Sequence, residues 1–341
     1  MGGKAFASHL PNATFPRLDP TLYTSLKSSL LPHLTPLFHH VAVPREAPQK
    51  QDYGDIDFVV ACPRAAIGHE EIKQALGASA CIPSTQPGGR GTHNFALRLA
   101  DFVPPQSADA NLASVETCEI HVQVDVNVRK DEQDWENVMF FHAYGDLGML
   151  IGRLAASVGL HLGELGLKMT SQALSPTYSS TFPLSSSMPD ILSFLELSLE
   201  RWRAGFATEH EAFEWVASSR FYTPGQVSDT ASRAKSRSNR SMYHAFFNWS
   251  DAKMEVTAET NGLPQVTQEV SSKEAVKQAV RQEALVFFCK KEEHDALVRE
   301  NEKRVRFKAI WNGKKVGEWT GWTGWLVGRV MNLMRQTVGE E

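Results

Sequence analysis

Three aspartates are the residues whose type and spacing could do chemistry. The segment Gly54-Asp55-Ile56-Asp57 opens onto an apolar, β-branched run at residues 56–61. In an extended strand, residues two apart share a face, so Asp55 and Asp57 are expected to project side by side. The third, Asp125, stands in residues 118–129, where Ile120, Val122, Val124, Val126 and Val128 alternate with His121, Gln123, Asp125, Asn127 and Arg129. That period of two predicts a strand with Asp125 on its polar face. Carboxylates so placed on two neighbouring strands can hold two Mg²⁺ ions roughly 3.5–4 Å apart, which permits in-line attack of a hydroxyl on a phosphoryl group. Asp101, Glu116, Glu119 and Asp131 compete for the third position but fall at strand ends or in loops, where a carboxylate is usually solvated. Taken alone, Gly-Asp-x-Asp also fits an ordinary turn in which Gly supplies a positive φ and Asp caps the backbone. The joint occurrence of this entry, an apolar strand and a later strand with a lone inward Asp favours the metal site.

These aspartates need a sheet and helices to hold them. Residues 20–40 carry Leu26, Leu30, Leu31, Leu34 and Leu37 at helical spacing, and residues 68–78 also read as a helix. A strand is expected at 93–99, and a helical region broken by glycines at 134–167. The Ser-, Thr- and Pro-rich stretch 171–187 reads as a connection between domains. Short helices are expected at 191–197, 202–206 and 209–221, and a charged helix at 273–303. Residues 305–311, Asn312-Gly313 and residues 314–319 read as strand, two-residue turn and strand, a terminal β-hairpin. With 341 residues, the expected organisation is a first domain over 1–175 and a mainly helical one over 188–341.

Composition bounds the partners. Hydrophobic residues make up 42% and charged residues 22%, the balance of a globular protein. The formal net charge of −4 lacks the basic excess of a nucleic-acid coat, so any polyanion must meet a local patch. The four cysteines, Cys62, Cys81, Cys118 and Cys289, have no CxxC pairing, which argues against zinc and a disulfide framework. No apolar window of about eighteen residues occurs and no secretory signal is seen, so an intracellular location, cytoplasmic or nuclear, is expected, with no membrane partner.

At this point the residues resemble the nucleotidyltransferase superfamily typified by DNA polymerase β, poly(A) polymerases and CCA-adding enzymes. The resemblance covers residues 40–168. Val41-Ala42-Val43 and Asp52-Tyr53-Gly54-Asp55-Ile56-Asp57-Phe58-Val59-Val60 look like that family's strand, loop and metal-binding strand. Val122-Gln123-Val124-Asp125-Val126-Asn127-Val128 is similar to its third-carboxylate strand, and Val138-Met139-Phe140-Phe141-His142-Ala143-Tyr144-Gly145 to the segment that contacts the incoming nucleotide. The resemblance implies an α+β fold: a polymerase β-like core, a mixed sheet with helices on one face, ahead of the helical C-terminal region. It implies that Asp55 and Asp57 hold Mg²⁺ or Mn²⁺ and the triphosphate, that Asp125 binds the catalytic metal and helps deprotonate the attacking hydroxyl, and that Phe141 and Tyr144 line the sugar or base site. Gly54 falls on the nucleotide side of the same motif. One departure stands out: about eleven residues before the first Asp, where the family has Gly-Ser, this chain reads Pro44-Arg45. Arg45 and Lys50 lie in the loop expected to face the phosphates, and their charge could replace that turn. Gly3-Lys4 is a second phosphate candidate beside its plain reading as a mobile terminus.

Other features have bland readings alongside. Arg233, Lys235, Arg237 and Arg240, interleaved with serines, suit contact with a nucleic-acid backbone, although most such runs are solvated loops. Met242, Phe246 and Trp249 have the spacing of a buried helix face, and Trp311, Trp319, Trp322 and Trp325 are expected to build a small core, with Gly321, Gly324 and Gly328 allowing close packing. His39, His40 and His142 have no partner spacing for zinc. The expected function is transfer of a nucleoside monophosphate from an NTP to a hydroxyl, most simply an RNA or DNA 3′ end. The alternative, prompted by Pro44-Arg45, is an inactive nucleotide- or nucleic-acid-binding protein with the same fold.

Overall fold

The computed structural model describes residues 5–84, 90–102, 119–174, 180–224, 240–261 and 269–338. They form an α+β fold in two compact units, one holding residues 1–158, 162–167 and 185–267, the other 159–161, 168–184 and 268–341.

The first unit is built on a mixed sheet. Helix α1 (Pro20–Leu34) starts where the sequence says it should: Asp19 accepts from the backbone N–H of Thr21 at 2.8 Å and of Leu22 at 3.0 Å, and Pro20 occupies the first turn. The helix ends sooner than the leucine spacing suggests, and strand β2 (Phe38–Ala42) follows. Strand β3 (Ile56–Pro63) is antiparallel to β2 and parallel to β6 (Glu119–Arg129). Strand β5 (Gly91–Arg98) pairs antiparallel with β6 and with β4 (Ala80–Ile82), giving the order β2-β3-β6-β5-β4, while β1 (Ala13–Thr14) adds to the start of β6.

Alternation does what the sequence predicted. Ile56, Phe58 and Val60 of β3 and Val122, Val124 and Val126 of β6 pack with Leu26, Leu30 and Leu34 of α1 and with Ile72 and Leu76 of α2 (His69–Leu76) in one core. Each fully buried side chain of this kind contributes about 1.5–3 kcal/mol through surface removed from water. The opposite residues, Asp57 and Asp125, are thereby turned to the other face. Expectation of helices on one face holds for α1 and α2, but α3 (Glu132–Phe141) packs against β2, β3 and β6 without joining that core. After α4 (Leu147–Ser157), the unit continues through α5 (Met188–Leu195), α6 (Leu199–Ala204), α7 (Glu209–Ala217) and α8 (Ser241–Asn261). Met242, Tyr243 and Phe246 of α8 are fully buried, and Trp249 packs on Phe213 and Phe246, as the helical spacing predicted.

Two sequence expectations are corrected before residue 188. The helical region does not run to 167: Gly159, at φ 82°, ends it, and β7 (Leu160–Gly163) and β8 (Gly166–Ser171) follow, with Gly166 at φ 96° entering β8. The Ser-rich stretch is not all connection, because residues 180–185 form β9 (Ser180–Ser185) beside β8.

The second unit holds most of that three-stranded β7-β8-β9 sheet together with α9 (Glu269–Phe287), α10 (Lys291–Ile310), α11 (Gly313–Thr320) and α12 (Trp325–Val338). Its buried polar pair is Ser171 and His294, 2.9 Å apart, with Phe182 edge-on to the imidazole. The expected charged helix is two helices, broken where Cys289 takes φ 54° and the Lys290 N–H returns to the Leu285 carbonyl, a left-handed C-terminal cap. The terminal β-hairpin is absent from the described residues. Asn312, read as half of a turn, is instead an N-cap: its side chain accepts from the Lys315 N–H at 3.0 Å and starts α11, while α10 runs through residue 305 to Ile310. Among the described residues no helix is long and apolar enough to cross a membrane.

Candidate metal centre

Asp55 ends the loop before β3, Asp57 is the second residue of that strand, and Asp125 sits directly opposite Asp57 on parallel β6. One ligand oxygen from each lies within 4.8 Å of the others, and among the described residues this is the one group of three such side chains. Gly54 is buried just before Asp55 and has no positive φ, so the ordinary-turn reading loses its main support.

Asp125 is held in place from its own sheet. Asn94, its antiparallel partner on β5, donates to Oδ1 at 2.6 Å, and Gln123, two residues earlier on the same face, donates to the same oxygen at 2.9 Å. Both donors go to Oδ1, which fixes the orientation of the carboxylate. Sequence alternation placed Gln123 beside Asp125, but nothing in the sequence pointed to Asn94, because that pairing is set by the β5–β6 register.

No Lys, Arg or His forms an ion pair with any of the three carboxylates among the described residues. Asp57 is open to solvent yet lies at the floor of a concave cleft, where surrounding protein replaces much of its hydration. Burial first, then the charges of Asp55 and Asp125, push its pKa up to about 7. Burial raises Asp125 to about 6 against the pull of Asn94 and Gln123, and burial also raises Asp55. Converging carboxylates with hard oxygen donors are a donor set that fits Mg²⁺ or Mn²⁺. The triad could hold a metal ion.

The cleft above Asp57 has a volume of about 420 Å³ and is lined by both strand and helix residues. Arg45, Lys50 and Phe141, singled out in the sequence, all line it, and so does Arg240. Arg240 is the one described member of the basic segment; Arg233, Lys235 and Arg237 lie outside the described residues, as do Gly3 and Lys4. Arg240 pairs with buried Asp146 at 2.6 Å, and Lys50 pairs with Glu46 at 2.6 Å. Arg45 has no carboxylate partner among the described residues: its Nη1 donates to the Tyr144 hydroxyl at 2.5 Å and to the Arg203 carbonyl at 2.7 Å, and its charge faces the Tyr144 and Trp202 rings.

Tyr144 is placed differently from Phe141. It is buried, its hydroxyl donates to the Trp202 carbonyl at 2.8 Å, and it is not in the cleft lining. Its role is in the wall. Tyr144 and Gly145 both take positive φ, the Tyr144 N–H reaches the Arg45 carbonyl at 2.6 Å, and a Cβ on Gly145 would lie 2.8 Å from that of Ala47. This close approach clamps the loop of residues 44–51 against the turn between α3 and α4. Sequence reading also missed Glu46, which accepts from the Tyr23 hydroxyl, and the pair His142–Glu164, 2.8 Å apart at the cleft edge. Burial raises the Cys81 thiol to about 11, which disfavours the thiolate that a nucleophile needs.

No family model and no curated protein matches the chain. Among solved structures, the chain is similar to a Leishmania infantum polymerase beta in a ternary gap complex, with 13% identity, a TM-score of 0.31 and 58% of this chain covered. The match spans 60% of that polymerase chain. An overlap of that size fixes neither family nor activity.

Proposed function

We propose that this protein is a metal-dependent nucleotidyltransferase that moves a nucleoside monophosphate from an NTP onto a hydroxyl. The observation that carries the reading is the convergence of ligand oxygens of Asp55, Asp57 and Asp125 within 4.8 Å of one another, with Asp57 lining a cleft whose wall also bears Arg45, Lys50 and Arg240. The resemblance of the two strand motifs to the nucleotidyltransferase superfamily points the same way.

Asp55, Asp57 and Asp125 would hold Mg²⁺ or Mn²⁺. When bound, the metal supplies Lewis-acid stabilisation of charge on the phosphoryl oxygens. The protein's own residues do the rest. Arg45, Lys50 and Arg240 bind the triphosphate, with Arg45 standing in for the family's Gly-Ser turn. Phe141 and Met149 offer apolar surface to the sugar or base. Asp125, lifted to about 6, takes the proton of the attacking hydroxyl and is kept in orientation by Asn94 and Gln123. An RNA or DNA 3′ end is the acceptor in this reading, selected by the helical residues beyond 188.

The test is pyrophosphate release from each NTP with Mg²⁺ or Mn²⁺ over RNA, DNA and small hydroxyl acceptors, beside calorimetric NTP binding. Release that disappears in Asp57→Asn supports the enzyme. Tight NTP binding with no release over any of these acceptors supports the inactive binding protein instead.

A further inference from the structure

The second unit carries a surface that the cleft does not account for. Residues 303–338 contain eight Lys and Arg against the single Glu318, a net of +7, whereas the whole chain is −4, which leaves −11 for the remainder. The tryptophans in this stretch were expected to pack inward. Trp311 does meet the small core of Phe307, Val316, Val327 and Met331, but Trp319 is 72% exposed, Trp325 71% and Trp322 47%. The glycines do not serve close packing: a Cβ at Gly321, Gly324 or Gly328 would meet nothing within 4 Å. Gly321 and Gly324, both at positive φ, instead turn the chain between α11 and α12 so that the indoles project outward.

We propose that α11, α12 and the end of α10 form a docking surface for an anionic lipid membrane. Exposed indoles beside aliphatic side chains, here Ile310 and Leu326, suit the boundary between headgroups and acyl chains, and Lys314, Lys315, Lys308 and Arg329 supply the charge that anionic headgroups attract. Base stacking explains the surface less well. Ile310 and Leu326 offer no flat face to a base, and the Arg329 guanidinium already stands 5.3 Å over the Trp325 ring. Attachment is peripheral, since no described helix is long and apolar enough to span a bilayer.

The experiment uses the full chain in sedimentation with vesicles of phosphatidylcholine alone or mixed with phosphatidylserine, at low and raised salt. Binding is expected with phosphatidylserine only and weakens with salt. A Trp319→Ser, Trp325→Ser double variant is expected to bind roughly ten-fold more weakly or worse. Lys314→Gln with Lys315→Gln is expected to bind roughly thirty-fold more weakly. All four positions are exposed, so an unchanged thermal midpoint confirms intact folding. No binding to either vesicle, equal binding to both, or full binding by both variants overturns the proposal. So does loss of RNA or DNA binding in these variants without vesicle binding by the parent, which would make the surface a nucleic-acid platform.

Discussion

The cleft of the first unit and the terminal helices of the second break the usual rule of burial in opposite directions. At the candidate metal site, carboxylates that would prefer water are drawn together, and among the described residues no Lys, Arg or His forms an ion pair with them. In the terminal helices, indoles that would prefer a core are left outside, among Lys and Arg. The first arrangement stores unfavourable charge that a bound cation relieves, and the second stores unfavourable apolar exposure that a partner surface relieves. Both are weak points for the isolated chain, and both are therefore places where binding can stabilise it.

The largest effect that would break this comparison is at Asp57. Asp57→Asn is expected to lower metal-dependent nucleotidyl transfer by about a thousand-fold or more while leaving the fold intact, since it removes one of the three carboxylates that would hold the metal. Initial rates with saturating Mg²⁺ check this; near-parental activity would sink the site. Next is the support of Asp125. Asn94→Leu removes one of the two donors that orient it and is expected to weaken Mn²⁺ affinity roughly ten- to a hundred-fold, measured by titration calorimetry.

A smaller effect concerns pH. An ordinary Asp titrates near about 3.9, whereas Asp57 is lifted to about 7 and Asp125 to about 6. Between those values the folded chain binds more protons than the unfolded one, so metal-free stability falls as pH rises from about 4 to about 7. Thermal midpoints without metal should therefore drop across that window. Added Mg²⁺ should restore more at pH 8 than at pH 5, where protons compete for the same oxygens. In Asp57→Asn the drop should shrink; a drop of the parental size would remove Asp57 as its source.

The smallest expected effect sharpens the other side. Trp319→Ser is expected to shift stability by no more than about 0.5 kcal/mol, because most of the ring already meets water. Phe246→Ala, in the first unit's core, should cost about 3–5 kcal/mol by the same denaturation measurement. Equal costs would mean that Trp319 is packed after all.

Much of the first unit was legible because its signals are local and periodic. The alternation in residues 118–129 declared both faces of β6 at once, and the apolar run from Ile56 declared β3 with Asp57 on its polar face, although Asp55, expected in the same strand, falls one residue before it. The terminal hairpin misled because Asn-Gly serves both as a two-residue turn and as the cap of a helix. Which one forms depends on whether the flanking residues find strand partners, a non-local matter. The indoles misled for a related reason: helical spacing names a face, but not whether another element covers it.

The sequence by itself determined the three carboxylates, the strands that carry two of them onto one face, and the helix that backs them, because backbone periodicity and hydrophobic burial are written into neighbouring residues. Only the tertiary structure decided that Asn94 steadies Asp125, that Arg45 and Arg240 share a cleft wall, that Tyr144 is wall rather than lining, and that Trp319 and Trp325 face outward. Each of those depends on strand register or on the packing of segments far apart in the chain, and no local pattern encodes which distant surface a side chain will meet.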